Sequence, residues 1–369
     1  MRIAFYSPIK PPDHPVPSGD RQVARLIIAA LRASGHEVGL ASRLRTWASD
    51  PDPRLLERLR REAEVEAARL IAVLRSASEG PPEVWVTYHT YYRSPDLLGP
   101  MVAEALAIPY LTVEAVYAGK RDADAWAPWQ APVVGALRKA AINFCLTQRD
   151  REGLMRVVSR ERTLHLPPFI DTARFPVAAQ QRSPDDPVLI TVAMMRERAK
   201  LASYRMLAKV LEGLQQRPWR LVIVGDGPAR RQVEDAFEHI PAARIRWTGE
   251  VGGKEVASLL AGADLFLWPG EDEAYGLVYL EAQASGLAVV AQDTAGVPEV
   301  VRQGETGLLT PHGDVAAMHV AIARLLDEPS LRQSMGAAAR RFVHEERTVA
   351  KAAAILEEGL RRATSGGWS

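Results

Sequence analysis

Short apolar runs alternate with amphipathic helical stretches along almost the whole chain, and few folds accept that rhythm. "RIAFYS" reads as a first strand and "DRQVARLIIAALRASG" as a helix with Val23, Leu26, Ile27, Ala30 and Leu31 on one face. Gly35 stops that helix and "HEVGLAS" begins the next strand. "EVWVTYH", "PYLTVEAV" and "INFCLT" continue the series. Strand, helix and strand in repetition predict an α/β fold with parallel sheets. At 369 residues the chain exceeds the size at which one core keeps growing, so two domains are expected.

The junction lies in "LHLPPFIDTARFPVAAQQRSPDDP", which carries several prolines and no sustained periodicity. "VLITVAMM", "WRLVIVGDGP", "IRWTGEV", "DLFLWPG" and "LAVVAQD" then read as strands of a second domain, with helices such as "ASYRMLAKVLEGLQQ" between them. The expected boundaries are 1–170 and 171–345, followed by a C-terminal helix and tail over 346–369 that packs back on the first domain. The tail "TSGGWS" is expected to fray. No sequence repeat links the halves, so their likeness is architectural.

Composition excludes several partners. Lys plus Arg total 46 against 45 Asp plus Glu, so no net field favours nucleic acid or an anionic membrane. The N-terminal apolar run is too short for a signal peptide, and no stretch approaches the ~18 apolar residues of a membrane span. The Arg- and Glu-rich segment from Arg54 to Ala77 reads as a solvated helix face, with peripheral membrane contact as the most it could offer. The single cysteine, Cys145, sits in an apolar strand and reads as a buried reduced thiol, consistent with a cytoplasmic protein.

The chemistry concentrates in "WPGEDEAYGLVYLEAQASGLAVV", where Glu273 and Glu281 stand eight positions apart. Glu281 falls in a helix that starts near Gly276, among apolar neighbours where a carboxylate costs free energy without a hydrogen-bonding partner. An Arg or backbone partner would meet that need. Glu273 precedes the helix, in the loop at the C-terminal end of a strand, where open α/β sheets bind ligands. The amides of Ala274, Tyr275, Gly276 and Leu277 lie at the helix start and can face an anion or a sugar hydroxyl.

These residues, with "AGVPEVVRQGETGLLTP" after them, resemble the retaining nucleotide-sugar glycosyltransferases of family 4, which have the GT-B fold: two doubly wound Rossmann-like domains facing across a cleft. "GDRQVARLIIAALRASGHEV", "LPPFIDTARF" and "LVIVGDGPARRQVE" extend the resemblance over most of the chain, and Gly225 lies in the last of these. The resemblance implies that Glu281 binds the donor ribose hydroxyls and that Glu273 lies beside the transferred sugar. It also implies that the amides from Ala274 to Leu277 hold sugar hydroxyls or the diphosphate, and that the first domain holds the acceptor. Glu299 either orients the "TAGVPE" turn or has a structural role.

Phosphate needs cations, and "VAMMRERAKLASYRML" follows a strand where the family carries an Arg and a Lys. Lys200 fits the Lys position. Met194 occupies the Arg position, leaving Arg196 or Arg198 as substitutes. Gly19 resembles the Gly of the family's N-terminal loop near the phosphates, and Ser18 replaces a second glycine often found there. His89, in "TYHTYYRSPD", ends a strand among tyrosines and is either a sugar contact or structural; Glu114 stands where the family commonly has a His.

The resulting expectation is an enzyme that moves a sugar from a UDP- or GDP-sugar to an unknown acceptor with retention. No cofactor and no metal are expected. The pairs Asp50/Asp52 and Asp122/Asp124 occur in loops and do not directly end an apolar strand. Two other readings stay open: an inverting transferase with a base such as His89, and a non-catalytic nucleotide-sugar sensor or partner subunit.

Overall fold

A computed structural model describes residues 1–16, 18–175 and 186–365. Residues 176–185 of the expected linker and 366–369 of the expected tail lie outside these. The chain divides into two compact units, Met1–Pro167 with Val349–Ser369, and Pro168–Thr348.

The first unit runs β1 (Arg2–Tyr6), α1 (Gly19–Ala33), β2 (Glu37–Ser42), α2 (Pro53–Arg75), β3 (Val84–Tyr88), α3 (Gly99–Leu106), β4 (Tyr110–Val113), α4 (Ala127–Lys139), β5 (Ile142–Cys145), α5 (Gln148–Leu154) and β6 (Thr163–His165). Its strands form one sheet in the order β2-β1-β3-β4-β5-β6, and every pairing is parallel. β3, β4 and β5 are buried at every residue, as strands covered on both faces must be.

α1 forms because Ser18 caps it, with Oγ accepting from the Arg21 amide at 3.3 Å, and because Val23, Ala24, Leu26, Ile27, Ala30 and Leu31 bury one stripe. Ser18 therefore stands in the expected phosphate loop as a helix cap, and Gly19 is the first helical residue rather than a loop residue. Along α2, Leu56, Leu59, Ala63, Ala67 and Leu70 face the core. The outer face carries ion pairs such as Arg61–Glu57 at 3.4 Å and Arg69–Glu66 at 2.7 Å. That is a solvated helix face, and no helix among the described residues is long and apolar enough to cross a membrane. Cys145 is fully buried, and burial pushes its thiol up to about 12.

The second unit runs β7 (Val188–Val192), α6 (Ala199–Glu212), β8 (Arg220–Val224), α7 (Arg230–Ala236), β9 (Ile245–Gly249), α8 (Gly253–Ala261), β10 (Leu265–Leu267), α9 (Leu277–Ala284), β11 (Ala288–Asp293), β12 (Gly307–Pro311), α10 (Val315–Asp327) and α11 (Pro329–Glu346). The sheet order is β12-β11-β10-β7-β8-β9, again wholly parallel. Lys200, expected in a loop, is the second residue of α6.

Strand order therefore reverses between β1 and β3 in the first unit and between β7 and β10 in the second. At such a switch point the connections leave toward opposite faces, and the strand ends open a crevice.

The last helix, α12 (Val349–Ser365), belongs to the first unit, where it packs on α1 and β5. A Cβ on Gly359 would stand 2.1 Å from Phe144 Cζ, so this helix seats by contact with a residue that has no side chain. Gly135 in α4 has open space in the same test. Gly135→Ala should stabilise by roughly 0.5–1 kcal/mol through helix propensity. Gly359→Ala gains the same propensity, but overpacking against a buried ring, at roughly 1–3 kcal/mol, should exceed it. Urea melts of the two variants should shift in opposite directions, and a raised midpoint for Gly359→Ala would show that α12 does not seat on Phe144.

Candidate functional site

Several of the sequence-predicted residues, Lys200, Glu273, Gly19 and His89 among them, fall at the two switch points. In the second unit, Lys200 comes from the first turn of the helix after β7, and Glu273 from the loop after β10, the two strands flanking the reversal. Although 73 positions apart in sequence, Lys200 Nζ donates directly to Glu273 Oε2. Trp268 Nε1 donates to the same oxygen at 3.3 Å, and Lys200 Nζ lies 5.3 Å from the Trp268 ring centroid. The Lys200 side chain is 31% exposed and that of Glu273 18%, so the pair sits at an open surface rather than sealed in the core.

Trp268 is fixed from behind. Its indole is fully buried, with Tyr204 edge-on at 5.0 Å, while its carbonyl accepts from Tyr279 Oη at 3.1 Å. The same loop is tied to its neighbours through Glu271. The Glu271 amide donates to Ser203 Oγ at 2.9 Å, and its carboxylate meets Gln292 Nε2 and His312 Nε2, each at 3.3 Å. Trp268, Glu271 and Ser203 were not singled out from sequence, although Trp268 and Glu271 lie in the quoted block. No local pattern marks an indole as the partner of a carboxylate five residues on.

Gly276 precedes α9 with φ +72°, and a Cβ there would meet Tyr279 Cδ2 at 2.8 Å and Glu273 Cγ at 3.0 Å. The turn that opens the helix is thus packed against the carboxylate stem. Tyr275 is buried, Ala274 is exposed, and Leu277 is the first residue of α9. Glu281 lies one turn into the helix and is only half-buried, while Tyr279, Leu280, Ala282, Gln283 and Ala284 are buried. Leu277 and Val278, one turn before it, are half-buried as well, so Glu281 shares the less buried stripe of the helix.

Arg196 and Arg198 are exposed in the segment before α6, and Arg198 takes φ +62°. Met194 is half-buried there. Gly225, placed in the donor site by resemblance, has φ +140°, and a Cβ would fall 2.0 Å from the Ala193 carbonyl oxygen. Its glycine is required because the ends of β7 and β8 approach here; the amide of Ala193 donates to Val224 O at 3.0 Å. The Glu299 carbonyl accepts from Arg347 Nη2 at 3.3 Å.

In the first unit the corresponding switch point brings together Gly19, Asp20 and His89. Asp20, in the first turn of α1, places Oδ1 3.0 Å from His89 Nδ1. Asp20 was passed over in "GDRQ", since nothing local predicts a partner 69 positions away. His89 follows β3 with φ +58°, and Glu114 follows β4 with φ +57°. Left-handed backbone costs a non-glycine residue roughly 1–2 kcal/mol, and strain of this kind collects at functional sites. Aromatic rings continue from His89: Tyr91 stacks on it at 5.0 Å, Tyr92 follows at 5.4 Å and Trp126 at 5.0 Å beyond.

The two aspartate pairs have local tasks. Asp52 accepts from the Arg54 amide as the cap of α2, and Asp50 accepts from Ser49 Oγ at 2.8 Å. Asp122 accepts from Tyr117 and Gln130, and Asp124 pairs with Arg121. Among the described residues no group of three or more His, Cys, Asp or Glu side chains is placed to hold a metal ion.

Comparison with known proteins bears on the relatives and the fold of the chain. Residues 186–328 match the family model described as Glycosyl transferases group 1. The chain is 34% identical over 160 residues to sulfoquinovosyl transferase SQD2 of Arabidopsis thaliana, covering 42% of this chain and 30% of that protein. It is 32% identical over 220 residues to the GDP-mannose-dependent alpha-(1-6)-phosphatidylinositol monomannoside mannosyltransferase of Mycolicibacterium smegmatis, covering 54% of this chain and 57% of the relative. The matched stretches thus span 30% and 57% of these relatives' own lengths. Among solved structures, sucrose-phosphate synthase from Thermosynechococcus elongatus aligns over 99% of both chains with a TM-score of 0.75 and 20% identity. At that identity the likeness is one of fold, and the fold is GT-B.

The Gly276 turn can be tested directly. Gly276→Ala combines a left-handed φ with a Cβ pressed between Tyr279 and Glu273, and should cost roughly 1–3 kcal/mol. Gly19→Ala, which has open space around the new Cβ, should stay within about 0.5 kcal/mol of the parent. Equal melting temperatures for the two variants would show that the turn tolerates a side chain.

Proposed function

From a chain that resembles the family 4 glycosyltransferases in sequence and has the GT-B fold, we propose an enzyme that transfers a sugar from a nucleoside diphosphate sugar to an acceptor with retained anomeric configuration. The observation that carries the reading is the Lys200–Glu273 pair, set on the two sides of the second unit's switch point and backed by Trp268. The donor is a UDP- or GDP-sugar, and the GDP-mannose dependence of the Mycolicibacterium smegmatis relative supports that class. The acceptor is a polysaccharide, a lipid-linked glycan or a small molecule, bound by the first unit. The expected setting is the cytoplasm, with no cofactor.

The chemistry follows from what each group can do. Lys200 has three N–H donors, so contact with Glu273 leaves others for a diphosphate oxygen. The Gly276 turn presents the start of α9 to the same charge. As the bond from the anomeric carbon to the diphosphate oxygen breaks, negative charge grows on that oxygen, and fixed cations and amides stabilise it. The acceptor oxygen forms its bond on the same face, and its proton passes to the leaving diphosphate. Glu273 orients the transferred sugar. Glu281, half-exposed on α9, accepts two hydrogen bonds from the ribose diol, each worth roughly 1.5–3 kcal/mol for a charged acceptor.

Kinetics separate these roles. Glu281→Ala should raise the donor KM with little change in kcat, because the ribose contact is equal in ground and transition states, whereas Glu273→Gln should depress kcat. Lys200→Ala should weaken nucleoside diphosphate binding by roughly 1.5–3 kcal/mol and leave the nucleoside nearly unaffected. Because Lys200 and Glu273 touch, their effects should be non-additive by at least 0.5 kcal/mol in a double-mutant cycle. Additive effects, or equal small effects of both Glu substitutions, would sink the assignment. Donor binding without turnover or hydrolysis would instead make the chain a nucleotide-sugar sensor.

Turnover should also survive exhaustive chelation, since the proposal neutralises the diphosphate with Lys200 and backbone amides. Activity lost on chelation, restored by magnesium or manganese and abolished by Asp122→Ala or Asp50→Ala would overturn that phosphate site.

A further inference from the structure

The ends of β3 and β4 repeat one local geometry. Tyr88 and Val113 are paired partners across the two strands, and the next residue on each, His89 and Glu114, is left-handed. The His89 amide donates to Val113 O at 2.8 Å, and the Glu114 amide to Phe144 O at 2.9 Å. An imidazole and a carboxylate therefore occupy equivalent positions on adjacent strands. Asp20 closes on the imidazole from α1, with Oδ1 3.0 Å from Nδ1.

We infer that Asp20 is a positioning residue that holds His89 as an imidazolium, with Nδ1–H committed to Asp20, so that Nε2–H acts as a cationic hydrogen-bond donor to an oxygen of the acceptor and not as its base. This rests on the transferase reading for the identity of the ligand only. The charged surroundings of His89 agree. Burial works against its cation, but Glu114 after β4, Asp20 on α1 and Asp150 on α5 outweigh it and raise His89 to about 9. Burial likewise opposes the Asp20 carboxylate, yet the His89 contact and Lys10 hold it below the usual range. Tyr91, stacked on the ring, is pushed up to about 12, chiefly by burial, and stays neutral. Two partners that shift in opposite senses are the signature of an ion pair. The His89 side chain is 17% exposed, so a ligand can reach it.

A His89 base would have to be neutral to take the acceptor proton, and would serve an inverting reaction. A cationic His89 cannot do so near neutral pH. It can only donate, which suits a reaction in which the leaving diphosphate receives the proton.

The test is nitrogen NMR of the full-length histidine-labelled protein, with the His89 signals assigned by loss in His89→Gln. The imidazolium pattern should persist through pH 7.5 and titrate near 9. In Asp20→Asn the midpoint should fall by at least one pH unit toward 6.5, the ordinary histidine value. A neutral His89 at pH 7, or a midpoint untouched by Asp20→Asn, would overturn the inference. With UDP-glucose or GDP-mannose, whichever is consumed, the rate should fall as pH rises through the His89 midpoint, and Asp20→Asn should move that fall to lower pH. A rate that rises through the midpoint would mark His89 as a base and overturn the inference. The NMR arm needs no turnover, so an inactive protein would unseat the transferase reading while leaving this one to be decided by the titration.

Discussion

Every strand in each sheet runs in the same direction, and the rest of the molecule depends on that constraint. Parallel pairing requires a crossover after each strand, and the right-handed hand of those crossovers places successive helices on one face until the order reverses. Each reversal leaves one crevice at the C-terminal strand ends. The residues with chemistry to offer lie at these crevices: Lys200 and Glu273 across β7 and β10, Asp20 and His89 across β1 and β3. Each unit sets one basic side chain and one carboxylate on opposite sides of its switch point.

Those pairs are half-open, and their surroundings are tied by further contacts. Tyr204 packs edge-on against the Trp268 indole that meets Glu273, and Tyr279 bonds the Trp268 carbonyl. His89 and Glu114 adopt a backbone that a side chain ordinarily avoids, and each is tied to its neighbouring strand by an amide hydrogen bond. Backbone strain of this kind persists only where the surrounding structure holds it, and it collects at functional sites. The loops around the second pair are stitched in the same way, with Glu271 bonded to three different segments and Gly225 allowing two backbones to touch.

The reading of the second unit from sequence places residues on their elements where the pattern is local. Glu273, Gly276 and Glu281 lie within nine residues, so one strand end, one turn and one helix start decide their relation. It falters where a residue's role is set by a face. Glu281 stands in an apolar run and is half-buried, because a helix sets adjacent positions on different faces. Lys200 looks like a loop residue and is helical, and Ser18 looks like a lost glycine and is a cap. Both errors concern helix starts, where one residue's backbone state changes the assignment.

By itself the sequence determined the α/β class and the strand, turn and helix that carry the Glu block, because hydrophobic period and turn residues act over short spans. It could not determine strand order, since the same rhythm of strands and helices is compatible with many sheet orders. Strand order is what sets Lys200 against Glu273 and Asp20 against His89, across 73 and 69 positions. Such contacts come from packing whole helices on a sheet, and no window of sequence contains both partners. The tertiary structure alone decided that Lys200 and His89 would each have a carboxylate beside it.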